Sequence, residues 1–83
     1  MPTDVEKILE AMRAGQTIHF ADLRRVCDHY FGTPRIRGSH HIYRTPWPGD
    51  PRVNIQKDGN DAKRYQVRQV LAAIDRIESH RTE

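Results

Sequence analysis

The adjacent histidines His40 and His41 are the side chains in this sequence best suited to chemistry. They follow the dipeptide Gly38-Ser39, precede the tripeptide Ile42-Tyr43-Arg44, and lie in a stretch rich in arginine. Histidine is the side chain whose unperturbed pKa allows both protonation states near neutral pH. Histidine among arginines favours acid–base chemistry on a polyanion. RNA fits best, because its 2′-hydroxyl lies next to the phosphodiester that would be cut.

The positive charge of the chain is concentrated around these histidines. The 83 residues include 14 Lys/Arg and 11 Asp/Glu, for a net charge of +3. Residues 33–68 hold eight Lys/Arg against three Asp/Glu, whereas residues 1–32 hold four against five and residues 69–83 hold two against three. This distribution is typical of a phosphate-binding face. A solvated surface on which basic residues happen to cluster would look the same.

Basic side chains and the turn before His40 supply the RNA contacts that we predict. Guanidinium groups near the histidine would neutralise charge that gathers on the phosphorus oxygens during cleavage. Other basic residues flank the start of the last predicted helix, whose N-terminus is itself favourable for anions, and would bind the phosphate backbone without choosing a sequence. The predicted RNA-binding residues are Arg35, Arg37, Gly38, Ser39, Arg44, Lys57, Lys63 and Arg64.

Composition limits the other classes of protein to which the chain could belong. The single cysteine, Cys27, cannot form an internal disulfide, which favours a reducing cytoplasm. We interpret it as a small buried hydrophobe on a helix rather than a nucleophile. No apolar run approaches the roughly 18 residues of a membrane span, and the N-terminus lacks a signal-peptide pattern. We therefore expect a small cytoplasmic protein.

The sequence does not predict a metal site or another cofactor. Cys27 lacks a second cysteine at metal-binding spacing. Adjacent histidines on a strand point in opposite directions and so cannot readily hold one ion. The five histidines are scattered along the chain, at His19, His29, His40, His41 and His80.

Three helices are predicted to support this basic segment. The first follows a capping box, Thr3-Asp4-Val5-Glu6, and is expected to end near Gly15. The second runs from Phe20 or Ala21 to Tyr30 and ends at Gly32. The last spans about Lys63 to Ser79 and has the clearest apolar periodicity in the chain. The first two should form a packed pair.

Between the second and third helices the pattern changes to short strands. Alternation of apolar and polar residues predicts strands at 33–37, 39–45 and 52–56, with a tight turn at Gly38. The proline-rich segment 46–51 is predicted to be a loop, and residues 57–61 a turn cluster. The α-α-β-β-β-α order predicts a three-stranded antiparallel sheet with helices on one face. The predicted core consists of Ile8, Leu23, Val26, Val53, Ile55, Val70, Leu71 and Ile74.

Alternation along the second strand separates the two histidines. His40 shares a sheet face with Ile42, and His41 shares the other face with Tyr43. If Tyr43 packs on the helices, His41 lies near the core and His40 projects outward among the arginines. If Ile42 faces inward, the roles are exchanged. The residues alone leave both arrangements open, although a partly buried structural role is favoured for His41.

The segment from Gly38 to Arg44, placed between a helix and the strand Val53-Asn54-Ile55-Gln56, resembles the HicA family of toxins. The helix start Phe20-Ala21-Asp22-Leu23 is also similar to that family. The segment from Lys63 to Leu71 resembles a longer subgroup of it. The resemblance covers roughly residues 20–77.

The resemblance implies a single domain over residues 1–83, with an additional N-terminal helix and connector (1–18) and a double-stranded-RNA-binding-domain-like core (19–79). It implies a metal-independent messenger RNA endoribonuclease, the toxin of a toxin–antitoxin pair, inhibited by a HicB-like antitoxin. His40, directly after Gly-Ser, would be the catalytic base. Many relatives have His-Pro where this chain has Thr45-Pro46, so no role for a histidine there carries over.

Two other functions remain open from the sequence. The first is a non-catalytic RNA-binding module that uses the same basic sheet face. The second is a structural interaction domain, whose affinity would not respond to salt as RNA binding does. The aromatics nearest the basic segment, Tyr43 and Trp47, are candidates for stacking on an unpaired base, but Trp47 is as well suited to plug its loop onto the core.

Overall fold

The computed structural model describes residues 4–45 and 52–81 (backbone alone at residues 80 and 81). Within them the chain forms three helices and a four-stranded antiparallel sheet of strand order β1-β2-β3-β4. The elements are α1 (Asp4–Arg13), α2 (Phe20–Phe31), β1 (Arg35–Arg37), β2 (His40–Tyr43), β3 (Val53–Asp58), β4 (Asp61–Ala62) and α3 (Arg64–Arg81). The predicted α+β class is therefore confirmed, and each helix lies within a few residues of its predicted limits.

The prediction of three strands was wrong, because the turn cluster at residues 57–61 is a hairpin. Only Gly59 and Asn60 form its turn, and Gly59 has a φ of 63°, a conformation that glycine adopts readily. Residues 57 and 58 of β3 pair with residues 62 and 61 of β4. The Ala62 N–H also donates to the Ile18 carbonyl at 2.8 Å, which ties β4 to the α1–α2 connector.

One core joins the three helices to a single face of the sheet. Of the eight predicted core residues, six are buried, and Ile8 and Leu71 are partly buried against them. The fully enclosed residues with the largest side chains are Tyr43, Leu23, Ile55, Ile74, Val26, Val70 and Cys27. Burial of such side chains contributes about 1.5–3 kcal/mol each, so this face determines the stability of the domain.

Helix α1 covers part of this core, as its apolar stripe predicts. Met12 is buried, and Val5, Ile8 and Leu9 pack against the cluster. An ion pair between Arg13 and Asp75, 2.7 Å apart, connects the end of α1 to α3.

Some predictions fall on residues outside the described ranges. These are the capping role of Thr3, the proline-rich loop 46–51 with Trp47, and the side chain of His80. Among the helices that are described, none has the length and apolarity needed to cross a bilayer.

Candidate functional site on the outer face of the sheet

The orientation of Tyr43 decides which histidine faces outward. Tyr43 is 0% exposed, and its hydroxyl donates a hydrogen bond to Asp28 Oδ1 of α2 at 2.7 Å. Because side chains alternate along β2, His41 shares this inner face and His40 lies on the opposite, outer face. The structure therefore has the first of the two arrangements that the sequence left open.

His40 is half-buried on the outer face and held by a neighbouring strand. Its Nδ1 lies 3.2 Å from Oδ1 of Asn54 on β3. With the Asn54 carbonyl oxygen turned toward the ring, Nδ1 carries the proton and donates it. The neutral ring then has its lone pair on Nε2, which is the nitrogen that can accept a proton from a substrate.

A chain of hydrogen bonds runs beside His40 across the outer face. Gln56 is the cross-strand partner of His40. Its Nε2 donates to Ser39 Oγ at 3.1 Å, and its Oε1 accepts from Lys63 Nζ at 3.2 Å. These contacts bring two predicted RNA-binding residues, Ser39 and Lys63, into one row with the histidine.

Two predicted arginines flank the other side of His40. In the β1–β2 register, Arg37 is directly opposite His40 and Arg35 is opposite Ile42, so both share the outer face. Both side chains are exposed, and no described carboxylate forms an ion pair with either. Their guanidinium groups are therefore available to an anionic ligand.

Gly38 and Ser39 make the two-residue turn that joins these strands. Gly38 has a φ of 58°, which a residue with a Cβ rarely adopts, although no atom lies close enough to exclude one. A substitution there would strain the turn and so disturb the register that sets Arg37 opposite His40.

Three further predicted contacts are not brought to His40 in the same way. Lys57 is exposed but, by alternation along β3, lies on the face of Ile55. Arg64 directs its guanidinium toward the Gly15 carbonyl, 3.5 Å away on the α1–α2 connector. Arg44 is exposed and follows the last residue of β2.

The inner face of β2 is structural. His41 packs edge-on against Phe20, with ring centroids 5.0 Å apart. Its Nδ1 is enclosed and lacks a hydrogen-bond partner within the described part of the chain. Burial, and then the hydrogen bond to Asp28, raises the pKa of Tyr43 well above its usual range. A base cannot reach the enclosed Tyr43 ring, so the candidate stacking role of Tyr43 was wrong.

Cys27 is buried on α2, as predicted from the sequence. Burial raises the pKa of its thiol to about 12, so the thiol stays protonated near neutral pH and is a poor nucleophile. Among the side chains that the structure describes, no three His, Cys, Asp or Glu residues are grouped as a metal site.

Sequence reasoning missed three polar residues that organise this face. Asn54 and Gln56 alternate with the buried Val53 and Ile55, which marks them as outward-facing. Their pairing with His40 depends on strand register, which the long connection from β2 to β3 leaves undetermined. Gln66 of α3 is buried, and its Oε1 accepts a hydrogen bond from the Gln56 backbone N–H at 2.7 Å.

Comparison with known proteins adds no relative to this description. No protein-family model, curated protein or solved structure matches the chain.

Proposed function

We propose that the outer face of the sheet is the active site of a metal-independent endoribonuclease that acts on messenger RNA. The observation that carries the proposal is the setting of His40. Its ring is held at Nδ1 by Asn54, faces away from the core, and lies directly across from the exposed Arg37. A held imidazole can act as a general base toward a ribose 2′-hydroxyl, and an available guanidinium beside it can stabilise charge on the phosphate.

In this mechanism His40 Nε2 removes the proton from a ribose 2′-hydroxyl. The 2′-oxygen then attacks the adjacent phosphorus, the bond from phosphorus to the 5′-oxygen breaks, and that oxygen takes up a proton from solvent water. The products are a 2′,3′-cyclic phosphate and a 5′-hydroxyl. Arg35 and Arg37 stabilise the negative charge on the phosphorus oxygens, while Lys63 and Ser39 position the backbone on the other side of the histidine.

We also propose that the chain is a HicA-like toxin. From α2 onward the order is α-β-β-β-β-α. Without the two-residue strand β4 it is the α-β-β-β-α order of a double-stranded-RNA-binding-domain-like fold, and the helix-covered sheet is compatible with that fold. The Gly38-Ser39-His40 sequence places the proposed base directly after the turn between β1 and β2. These two features support the resemblance, and α1 is then an addition that covers the core.

The partner that follows from this proposal is a small antitoxin of the HicB type. The simplest inhibition is occupancy of the outer face, which would cover His40 and match the charge of Arg35 and Arg37. A complex in which His40 stays open to solvent would contradict this mode of inhibition.

To test the ribonuclease proposal, the protein is incubated with end-labelled single-stranded messenger RNA in excess EDTA. We expect cleavage by the parent and a loss of about 10²–10⁴-fold in His40→Ala, the usual contribution of a general base. His29→Ala is the matched control, because His29 is an exposed histidine on α2. It should cleave at the parent rate.

The outcomes separate the proposed enzyme from its alternative. Equal cleavage by the parent and His40→Ala would contradict the role of His40. An absence of cleavage by either form, with salt-sensitive RNA binding retained, would support the non-catalytic RNA-binding module.

A further inference from the structure

Tyr65, in the first turn of α3, is an aromatic side chain that the core does not use. It is 52% exposed and, with Ile36, is one of the large hydrophobic residues that remain exposed in the described part of the chain. The other tyrosine close to the candidate site, Tyr43, is enclosed. About half of the Tyr65 side chain is therefore open to a ligand, and an aromatic ring with a polar tip is well suited to a contact that is apolar on one side and wet on the other.

Hydrogen bonds fix the hydroxyl end of Tyr65 to the sheet. Its Oη accepts a hydrogen bond from Gln66 Nε2 at 3.3 Å, and Gln66 Oε1 accepts one from the Gln56 backbone N–H at 2.7 Å. Gln66 is 4% exposed and uses both ends of its amide in these contacts. The Tyr65 ring is therefore positioned before any ligand arrives, which reduces the conformational entropy that binding would cost.

Tyr65 is held beside the edge of β3 that β4 leaves unpaired. The short strand β4 pairs only with Lys57 and Asp58 of β3, so residues 53–56 of β3 have no β4 partner. Gln66 occupies this edge at Gln56, where a longer β4 would continue. The Tyr65 hydroxyl thus lies two hydrogen bonds from the backbone of the residue that pairs with His40.

A polar and basic path connects His40 to this edge. Gln56 lies directly across from His40, and its side chain bridges Ser39 and Lys63. A nucleic-acid strand with a phosphate at His40 would cross β3 at Gln56 and meet the Lys63 ammonium. Tyr65 follows Lys63 by two residues in the chain, and its exposed ring is the aromatic group that we assign to the next base along this path.

We propose that Tyr65 stacks on an unpaired base that flanks the phosphate bound at His40. This inference rests on the proposed function and narrows its substrate to RNA that is single-stranded beside the cleaved bond. Stacking needs a base face that no neighbouring base covers. It is also tolerant of base identity, since every base has a π-face. Tyr65 is accordingly a binding residue that confers preference for unpaired RNA without a sequence code.

The test measures RNA affinity in the His40→Ala background, so that binding is separated from cleavage. The probe is a short single-stranded messenger RNA fragment. Tyr65→Ala and Tyr65→Leu should each weaken binding by about 5- to 150-fold, the range for loss of one base–aromatic stack. Tyr65→Phe and Tyr65→Trp keep a ring for stacking and should retain most of the affinity. Both lose the hydrogen bond from Gln66, so we expect a loss smaller than that of Tyr65→Ala. Tyr65→Leu controls for apolar bulk, and thermal unfolding of each variant controls for the fold.

An abasic scan, in which each base of the same RNA is removed in turn, identifies the base on which Tyr65 stacks. Removing that base should weaken binding to the Tyr65-containing protein and have little further effect on Tyr65→Ala, because the stacking partner is already absent. If the parent cleaves RNA, but Tyr65→Ala does not weaken RNA binding in the His40→Ala background, the stacking role of Tyr65 is overturned. The ribonuclease proposal then stands. A parent protein that neither binds nor cleaves RNA would overturn both proposals.

Discussion

The two faces of strand β2 carry the same residue type in opposite environments. On the outer face, His40 is held by Asn54 and lies across from an exposed arginine. On the inner face, His41 packs against Phe20 beside the enclosed Tyr43. The two histidines are adjacent in sequence, so the difference is made by the alternation of side chains along the strand.

This comparison shows how four residues of one strand can present one face to the core and a polar face to solvent. The inner face stabilises the fold through burial and through the Tyr43–Asp28 hydrogen bond. The outer face has few apolar contacts and is free to carry charge. We therefore expect substitutions on the inner face to change the free energy of unfolding and those on the outer face to change activity.

After the loss of cleavage expected for His40→Ala, the largest effect that we predict in this comparison is on stability. Tyr43→Phe removes the hydroxyl that donates to Asp28 and should lower the free energy of unfolding by about 2 kcal/mol, a typical value for a hydrogen bond to a charged group. RNA cleavage at a temperature where the variant is folded should be unchanged. Urea unfolding and a cleavage assay measure the two quantities.

Tyr30→Phe is the matched control for this variant. It also removes a tyrosine hydroxyl, one that donates to Glu78 at an exposed position, and should cost less than about 0.5 kcal/mol. A Tyr43→Phe variant as stable as the parent would contradict a contribution of the Tyr43–Asp28 hydrogen bond to the stability of the fold.

A smaller effect is expected at Asn54, which we propose as a positioning residue for His40. Asn54→Ala removes the acceptor of the Nδ1 hydrogen bond and should lower kcat about tenfold with KM unchanged, equivalent to one hydrogen bond. Asn54→Asp restores an acceptor oxygen and should recover most of kcat. A rise in KM at constant kcat would instead assign Asn54 to RNA binding.

The smallest effect concerns the arginines opposite β2. The double variant Arg35→Gln/Arg37→Gln removes two predicted phosphate contacts. It should make the dependence of log Kd on log salt concentration shallower by about 0.7 per contact with single-stranded RNA. The double variant Arg24→Gln/Arg25→Gln on α2 also removes two charges, which lie beside Asp28 and Asp4, and is the control. An unchanged salt slope in the double variant would place the RNA elsewhere.

The helices and most of the core could be predicted because their apolar residues recur at helical spacing. The strand β4 could not, since two residues are too few to show alternation. The sequence left open which face of β2 points to the core, because Ile42 and Tyr43 are both apolar. In the structure Tyr43 faces the core and its hydroxyl donates to Asp28, fifteen residues earlier in the chain, a contact that local sequence does not predict. Asn54 and Gln56 were missed for a related reason, because their pairing with His40 follows from register and not from local sequence.

Analysis of the product ends tests the central claim most directly. RNA cleaved by the parent in excess EDTA is examined at its new ends, beside an RNA in which the ribose at the cleaved position is 2′-deoxy. A base that activates the 2′-hydroxyl predicts 2′,3′-cyclic phosphate and 5′-hydroxyl ends, with the deoxy position resistant to cleavage. Fragments with 3′-hydroxyl and 5′-phosphate ends, or cleavage at the deoxy position, would contradict the proposed role of His40.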